Sequence, residues 1–233
     1  MVLNIAHHGA SVYARENTME AFEKAIQLGA DGIKTDVQLS SDGVMVLIHD
    51  EQLGRVVEGN GWVKNHSFLE LKRLGVPSLE ELLTLSKKNN LFLNLELKNS
   101  LAHYEGLEEK IIDTLYRYDM MEQVVLSSFN HYSLVKCKQI DNSARTAILC
   151  GQPLYRVERY CSYVGANGIH ASYKNITKEM VTQANKADLA ISAYTVDDEM
   201  EMKRLIKLGV DMIITNYPDK LKEVIKKRER KTS

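Results

Sequence analysis

The chain has 233 residues, a formal net charge of -1, 44% hydrophobic and 26% charged residues, which suits one globular domain and a whole-molecule field that points to neither a nucleic-acid binder nor a membrane-surface protein. Its three cysteines, Cys137, Cys150 and Cys161, lack metal-ligand spacing and read as free thiols of a reducing compartment. No apolar run approaches the roughly 18 residues of a membrane span, and Met1 passes into an apolar run with no charged leader, so the expected location is cytoplasmic, without membrane insertion.

The first element is a short strand from Leu3 that delivers His7, His8 and Gly9, then turns through polar residues into a helix beginning near Thr18 and capped by Gly29. Residues 32–39 alternate: Ile33, Val37 and Leu39 share one face, and Gly32, Lys34, Asp36 and Gln38 share the other. A tight turn at Ser41-Asp42-Gly43 leads to an extended run, Val44 to Ile48, that ends in His49 and Asp50. An insertion at about 50–77 carries a short helix at Phe68 to Arg73, and Ser78-Leu79-Glu80-Glu81 has the spacing of a capping box. Leu91, Leu93, Leu95 and Leu97 then alternate with Asn94, Glu96 and Lys98.

The rest is regular. Helices are expected near Leu107 to Tyr118, from His131, at Leu154 to Tyr160, at Lys178 to Ala187 and at Lys220 to Lys227; strands are expected at Val124 to Ser127, Thr146 to Leu149, Gly168 to His170 and Leu189 to Val196. Residues 208–216 echo residues 28–36 position by position, the mark of a recurring helix, turn and strand unit. Eight such units predict an α/β fold, a single (β/α)8 TIM barrel domain over 1–233 with a short insertion in the second βα unit. An open doubly wound sheet is the alternative, and no GxGxxG follows the first strand to support it. The basic tail, 226–233, reads as the frayed end of the last helix, where cations suit the helix dipole.

In a barrel, chemistry sits at the C-terminal strand ends. His7 and His49 can serve there as base and acid, because a pKa of about 6.5 lets either protonation state exist near neutrality. Asp36 and Glu96 lie on inward polar rows, as ion-pair partners of Lys34 and Lys98 or as oxygen ligands for a hard cation.

The segments HHGASVYARENT, LGADGIKTDVQLSSDGVMVLIHDEQL, VPSLEELL, LNLELK, LSSFNH, AYTVDD and LGVDMIITNYPD together resemble the glycerophosphodiester phosphodiesterase family along nearly the whole chain. The resemblance implies a barrel that hydrolyses small-molecule glycerophosphodiesters to glycerol 3-phosphate and an alcohol, with two histidines and a divalent cation, Mg or Ca. His7 and His49 match the catalytic histidines, Asp36 and Glu96 match two metal-binding carboxylates, and Lys98 matches a lysine near the phosphate. Tyr194 stands where the family often has Trp at the pocket rim. Three positions depart: Arg15 replaces a usual Pro, His8 a usual Arg, and Lys34 a metal-binding Glu. An ammonium has no lone pair for a metal, so the expectation is a site in which Lys34 weakens or replaces the cation and lies with His8 and Lys98 against substrate. Two alternatives stand beside hydrolysis: a barrel that binds an anionic phosphate ligand without turnover, and a lyase that releases a cyclic phosphate.

Overall fold

The computed structural model describes residues 2–232, the side chains of 231 and 232 excepted. The opening run forms β1 (Leu3–His7), followed by α1 (Met19–Leu28) and β2 (Gly32–Leu39). Then come β3 (Met45–Leu47), α2 (Phe68–Arg73), α3 (Leu79–Asn89), β4 (Phe92–Leu97), α4 (Leu107–Tyr118), β5 (Val124–Ser128) and α5 (His131–Ile140). The chain finishes with β6 (Thr146–Cys150), α6 (Val157–Val164), β7 (Gly168–Ser172), α7 (Lys178–Lys186), β8 (Ala190–Tyr194), α8 (Glu199–Leu208), β9 (Met212–Thr215) and α9 (Pro218–Thr232). All strands except β3 pair in parallel, in the order β1-β2-β4-β5-β6-β7-β8-β9, and β9 returns to β1 to close a (β/α)8 TIM barrel.

Alternation sorts each strand's side chains between two environments. Ile33, Val37, Leu93, Leu95 and Leu97 face outward and pack with Leu82, Leu83, Ile111 and Leu115 of the helices; Ile169, Ile191 and Ile213 do the same against Val181 and Leu205 on the far side. The inward rows are polar and buried, with Lys34, Asp36, Asn94, Glu96, Ser127 and His170 among them. Asn94 links two of these strands across the barrel: it accepts from Ser127 Oγ at 2.7 Å, and its amide meets His170 Nδ1 at 3.1 Å.

The recurring unit has a physical basis, and it occurs three times. Gly29, Gly165 and Gly209 end their helices in the left-handed conformation, and the Asx residue two positions on accepts a backbone N–H at the start of a neighbouring strand. Asp31 takes that of Asn4 at 2.8 Å, Asn167 that of Thr146 at 3.1 Å and Asp211 that of Ile191 at 2.7 Å. The copy at 165–168 escapes the eye because Asn replaces Asp.

Three expectations need correction. The run before His49 is not a stave of the barrel: β3 pairs antiparallel with the C-terminal half of β2, as the return arm of a hairpin. The departure from the barrel thus begins before residue 50, and the insertion carries its own small core of Val46, Ile48, Leu53, Val57, Val63, Leu71 and Val76. Helix α6 starts at Val157 and not Leu154, because Arg156 sits at φ 52°, outside helical space. Helix α9 runs on to Thr232, so residues 226–232 of the basic tail are helical; Ser233 lies outside the described residues.

Burial, reinforced by the Lys34 charge, pushes His170 down to about 3. Unfolded, the ring binds a proton below about 6.5, so acid favours the unfolded chain and stability falls as pH drops from about 6.5 toward 3. Between pH 7 and 5 this one group should cost about 2 kcal/mol. Urea unfolding at the two pH values should show the loss, with a smaller slope in His170→Gln; an unchanged slope would remove His170 from acid sensitivity.

Candidate active site

The turn after β1 is shaped by sterics. His8 and Gly9 both adopt positive φ, 58° and 84°, and a Cβ on Gly9 would lie 2.6 Å from the backbone of Ala21, so only glycine lets α1 approach this closely. The sharp turn leaves the His7 and His8 rings stacked, centroids 3.8 Å apart, and sets His8 5.3 Å from His49.

His49 reaches the mouth from outside the ladder. The Ile48 amide donates to Asp36 O at 3.2 Å, and the Gln38 amide donates to the carbonyls of Ile48, His49 and Asp50 at 2.9, 3.2 and 2.9 Å. The Tyr104 hydroxyl fixes Gln38 in turn, donating to Oε1 at 2.7 Å. The Asp50 carboxylate lies 2.7 Å from His49 Nδ1, and Arg55 donates to both Asp50 and Glu16. These contacts leave His49 Nε2 as the ring's free nitrogen.

His7 is oriented by residues the sequence reading missed. Asp197 accepts from Asn216 Nδ2 at 2.7 Å, which turns the amide oxygen of Asn216 toward His7 Nδ1, 2.9 Å away. Nδ1 therefore carries the proton and Nε2 keeps its lone pair. Burial, then the neighbouring His8 and Lys34, lowers the His7 pKa well below its ordinary value, which keeps the ring neutral. The available signal was the internal repeat, in which Asn216 occupies the position of Asp36.

The centre of the mouth is a charge cluster. Lys34 Nζ lies 2.6 Å from Asp36 Oδ1 and 2.8 Å from Glu96 Oε2, with His8 Nε2 3.1 Å away. Burial opposes this ammonium, but the two carboxylates outweigh it and raise the Lys34 pKa. Burial likewise pushes Asp36 up, yet Lys34 and His8 hold its carboxyl well below the usual range. The other Asp36 oxygen meets His8 Nε2 at 2.9 Å and accepts from Asn17 at 3.1 Å. Burial lowers the His8 pKa, against the pull of Asp36. Lys98 Nζ stands 3.5 Å from the second Glu96 oxygen.

His7, His8, Lys34, Asp36, His49, Glu96 and Lys98 thus share one mouth. Tyr194 joins them on a recess of about 270 Å³ that is also lined by His7, Lys34, His49, Glu96 and Phe129; its hydroxyl donates to Cys150 O at 3.1 Å, and burial pushes it up to about 12. A second recess, about 470 Å³, is lined by His7, His8, Glu16, His49, Arg55 and Asn216. His7 and His49 border both.

Among the described residues, His8, Asp36 and His49 offer ligand atoms within 4.8 Å of one another, a possible place for a metal ion. The cage expected for Mg or Ca does not fit. Its Asp36 and Glu96 oxygens already hold the Lys34 ammonium, and the remaining set has two imidazoles and one carboxylate where a hard cation requires oxygens.

Residues 7–220 match the model of the Glycerophosphoryl diester phosphodiesterase family. The chain is 38% identical to a glycerophosphodiester phosphodiesterase of Caldanaerobacter subterraneus, over 97% of this chain and 98% of that one, and 36% identical to one of Bacillus altitudinis, over 92% and 94%. Its fold is similar to that of an Oleispira antarctica phosphodiesterase solved in complex with the product sn-glycerol-3-phosphate, with a TM-score of 0.83 and 27% identity over 95% of this chain and 96% of that one. With the barrel, the paired histidines and a match along nearly its whole length, the chain belongs to the glycerophosphoryl diester phosphodiesterase family.

Proposed function

We propose that the chain hydrolyses glycerophosphodiesters to glycerol 3-phosphate and an alcohol, with the Lys34 ammonium standing in the place of the family's cation. The observation that carries the reading is the position of His7 and His49, which border two recesses at once. A phosphodiester laid across that border has glycerol on one side, alcohol on the other and phosphorus between the rings. His7 Nε2, unprotonated, takes a proton from water as its oxygen attacks phosphorus. His49 gives a proton to the leaving alkoxide as the second P–O bond breaks. Lys34 and Lys98 meet the charge on the phosphoryl oxygens.

The family is generally metal-dependent, so Lys34 is the informative departure. The usual set of Glu, Asp, Glu and Lys sums to -2; Lys34, Asp36, Glu96 and Lys98 sum to zero. A cation 4 Å from an ammonium is repelled by about 4 kcal/mol per unit of its charge at an effective dielectric of 20, which offsets the attraction of one carboxylate at the same distance. No step above is routed through a metal. Cytoplasmic location is part of this proposal, and Cys137, Cys150 and Cys161, all free and buried, support it.

His7→Gln and His49→Gln should each lower turnover of glycerophosphodiesters by about two to four decades with unchanged thermal unfolding, since neither ring supports the core. Near-native rates in either variant would remove that histidine from the mechanism. Product analysis should find glycerol 3-phosphate; a cyclic phosphate would establish the lyase instead.

Calorimetric titration should find weak binding of Mg and Ca by the natural chain, whose turnover should be low and little changed by chelator. Lys34→Glu should raise both metal affinity and rate, and adding His8→Arg, a bidentate phosphate donor, should raise the rate further. Tight stoichiometric binding by the natural chain with no gain in Lys34→Glu would show that the ammonium leaves the site. Binding of glycerol 3-phosphate without any turnover would favour the ligand-binding alternative.

A further inference from the structure

Three loops on the mouth side, those after β4, β5 and β6, together with the first turn of α5, present apolar side chains to solvent. Leu101 is 76% exposed, Phe129 49%, Tyr132 88%, Leu154 43% and Tyr155 89%. Because β4, β5 and β6 are adjacent in the barrel, these residues form one arc along the rim. Isolated exposed apolar residues are ordinary, whereas a run of them on one rim marks a contact surface. The arc begins at the active site, since Phe129 also lines the recess with His7, Lys34 and His49. Beside Leu154 and Tyr155 a further recess, about 380 Å³, has a mixed lining, with Val157 and Met180 beside Arg156, Glu158 and Glu179.

Charge on the arc narrows the partner. Residues 99–106, 129–132 and 151–156 carry one acid, Glu105, and one strong base, Arg156, for a net formal charge of zero with His103 and His131 neutral. A polyanion or an anionic bilayer is met by clustered Lys and Arg, and this rim has no such cluster. Tyrosine, with an apolar ring and a polar tip, suits the headgroup layer of a lipid surface, with leucine entering below it. The site behind the rim, on the reading above, accepts phosphodiesters of glycerol, the group that such a surface displays.

We infer that this arc seats the barrel mouth on a zwitterionic lipid surface, where the site receives glycerophosphodiesters that still carry one acyl chain. The seating stands on the rim alone; the identity of the substrate rests on the proposed function. The tail stays in the lipid while water attacks phosphorus, so that the alcohol leaves with the proton from His49 and an acylglycerol phosphate remains.

The test is flotation of the full chain with vesicles of phosphatidylcholine containing lysophosphatidylcholine. The natural chain should float with them, and Leu101→Ser with Tyr155→Ser should lower the bound fraction about tenfold. The control pair, Tyr116→Ser with Tyr163→Ser, removes aromatics that are 57% and 87% exposed near the C-terminal ends of α4 and α6, at the opposite end of the barrel, and should leave binding intact. Absence of flotation, equal loss in both pairs, binding confined to phosphatidylglycerol vesicles, or sedimentation showing that the arc instead joins two copies of the chain would each overturn the seating. In parallel, the rim pair should slow hydrolysis of lysophosphatidylcholine at least tenfold and leave that of glycerophosphocholine unchanged. Equal slowing of both would overturn the assignment of acylated substrate. If neither compound is hydrolysed, the proposed function fails while flotation still decides the seating.

Discussion

Lys34 places an ammonium in the barrel mouth between two carboxylates, with almost no water to share the charge. Removing one member of such a buried pair without another charge in its place leaves an uncompensated charge and costs about 3–5 kcal/mol, so the carboxylates need either this ammonium or another cation between them. The β2–β4 register, which pairs Asp36 with Glu96 and Lys34 with Asn94, brings the carboxylates onto one ring of the barrel. Asn17 donates to Asp36 while accepting from Thr35 Oγ1 at 2.7 Å, tying the turn before α1 to the same cluster. His8 fills the remaining side.

A site built this way differs in kind from one awaiting a metal. Clustered carboxylates without their cation repel one another, and their geometry is set only on binding. Here the neutralising charge is covalently attached, so the mouth is electrically complete from the moment the chain folds. The same ammonium reaches further than the cluster: it helps hold His7 and, deeper in the barrel, His170 in their neutral forms.

Much of this was legible in the sequence because it depends on local rules. Alternation in residues 32–39 and 91–98 located the polar rows, and capping signals at Ser78 and Gly29 located helix ends that the structure repeats. Strand direction was not legible, since period-two alternation is the same in both senses; hence β3 could be found but its antiparallel pairing could not. Asn216 and Asp197 were missed because their role depends on contact with His7 from the other end of the chain. The start of α6 was misplaced because nothing in the identity of Arg156 announces a left-handed backbone.

The β2–β3 hairpin divides the two histidines between different mechanical parts. His7 belongs to a stave whose position is fixed by neighbours on both sides. His49 hangs from the tip of an arm braced by the Gln38 amide and by the Asp50, Arg55 and Glu16 ion pairs, and resting on the small core of the insertion. On the proposed mechanism, the gap between proton acceptor and proton donor is then set by how the hairpin sits on the barrel. The insertion between residues 50 and 77 thus supports one ring of the pair, while the closed barrel beneath supports the other.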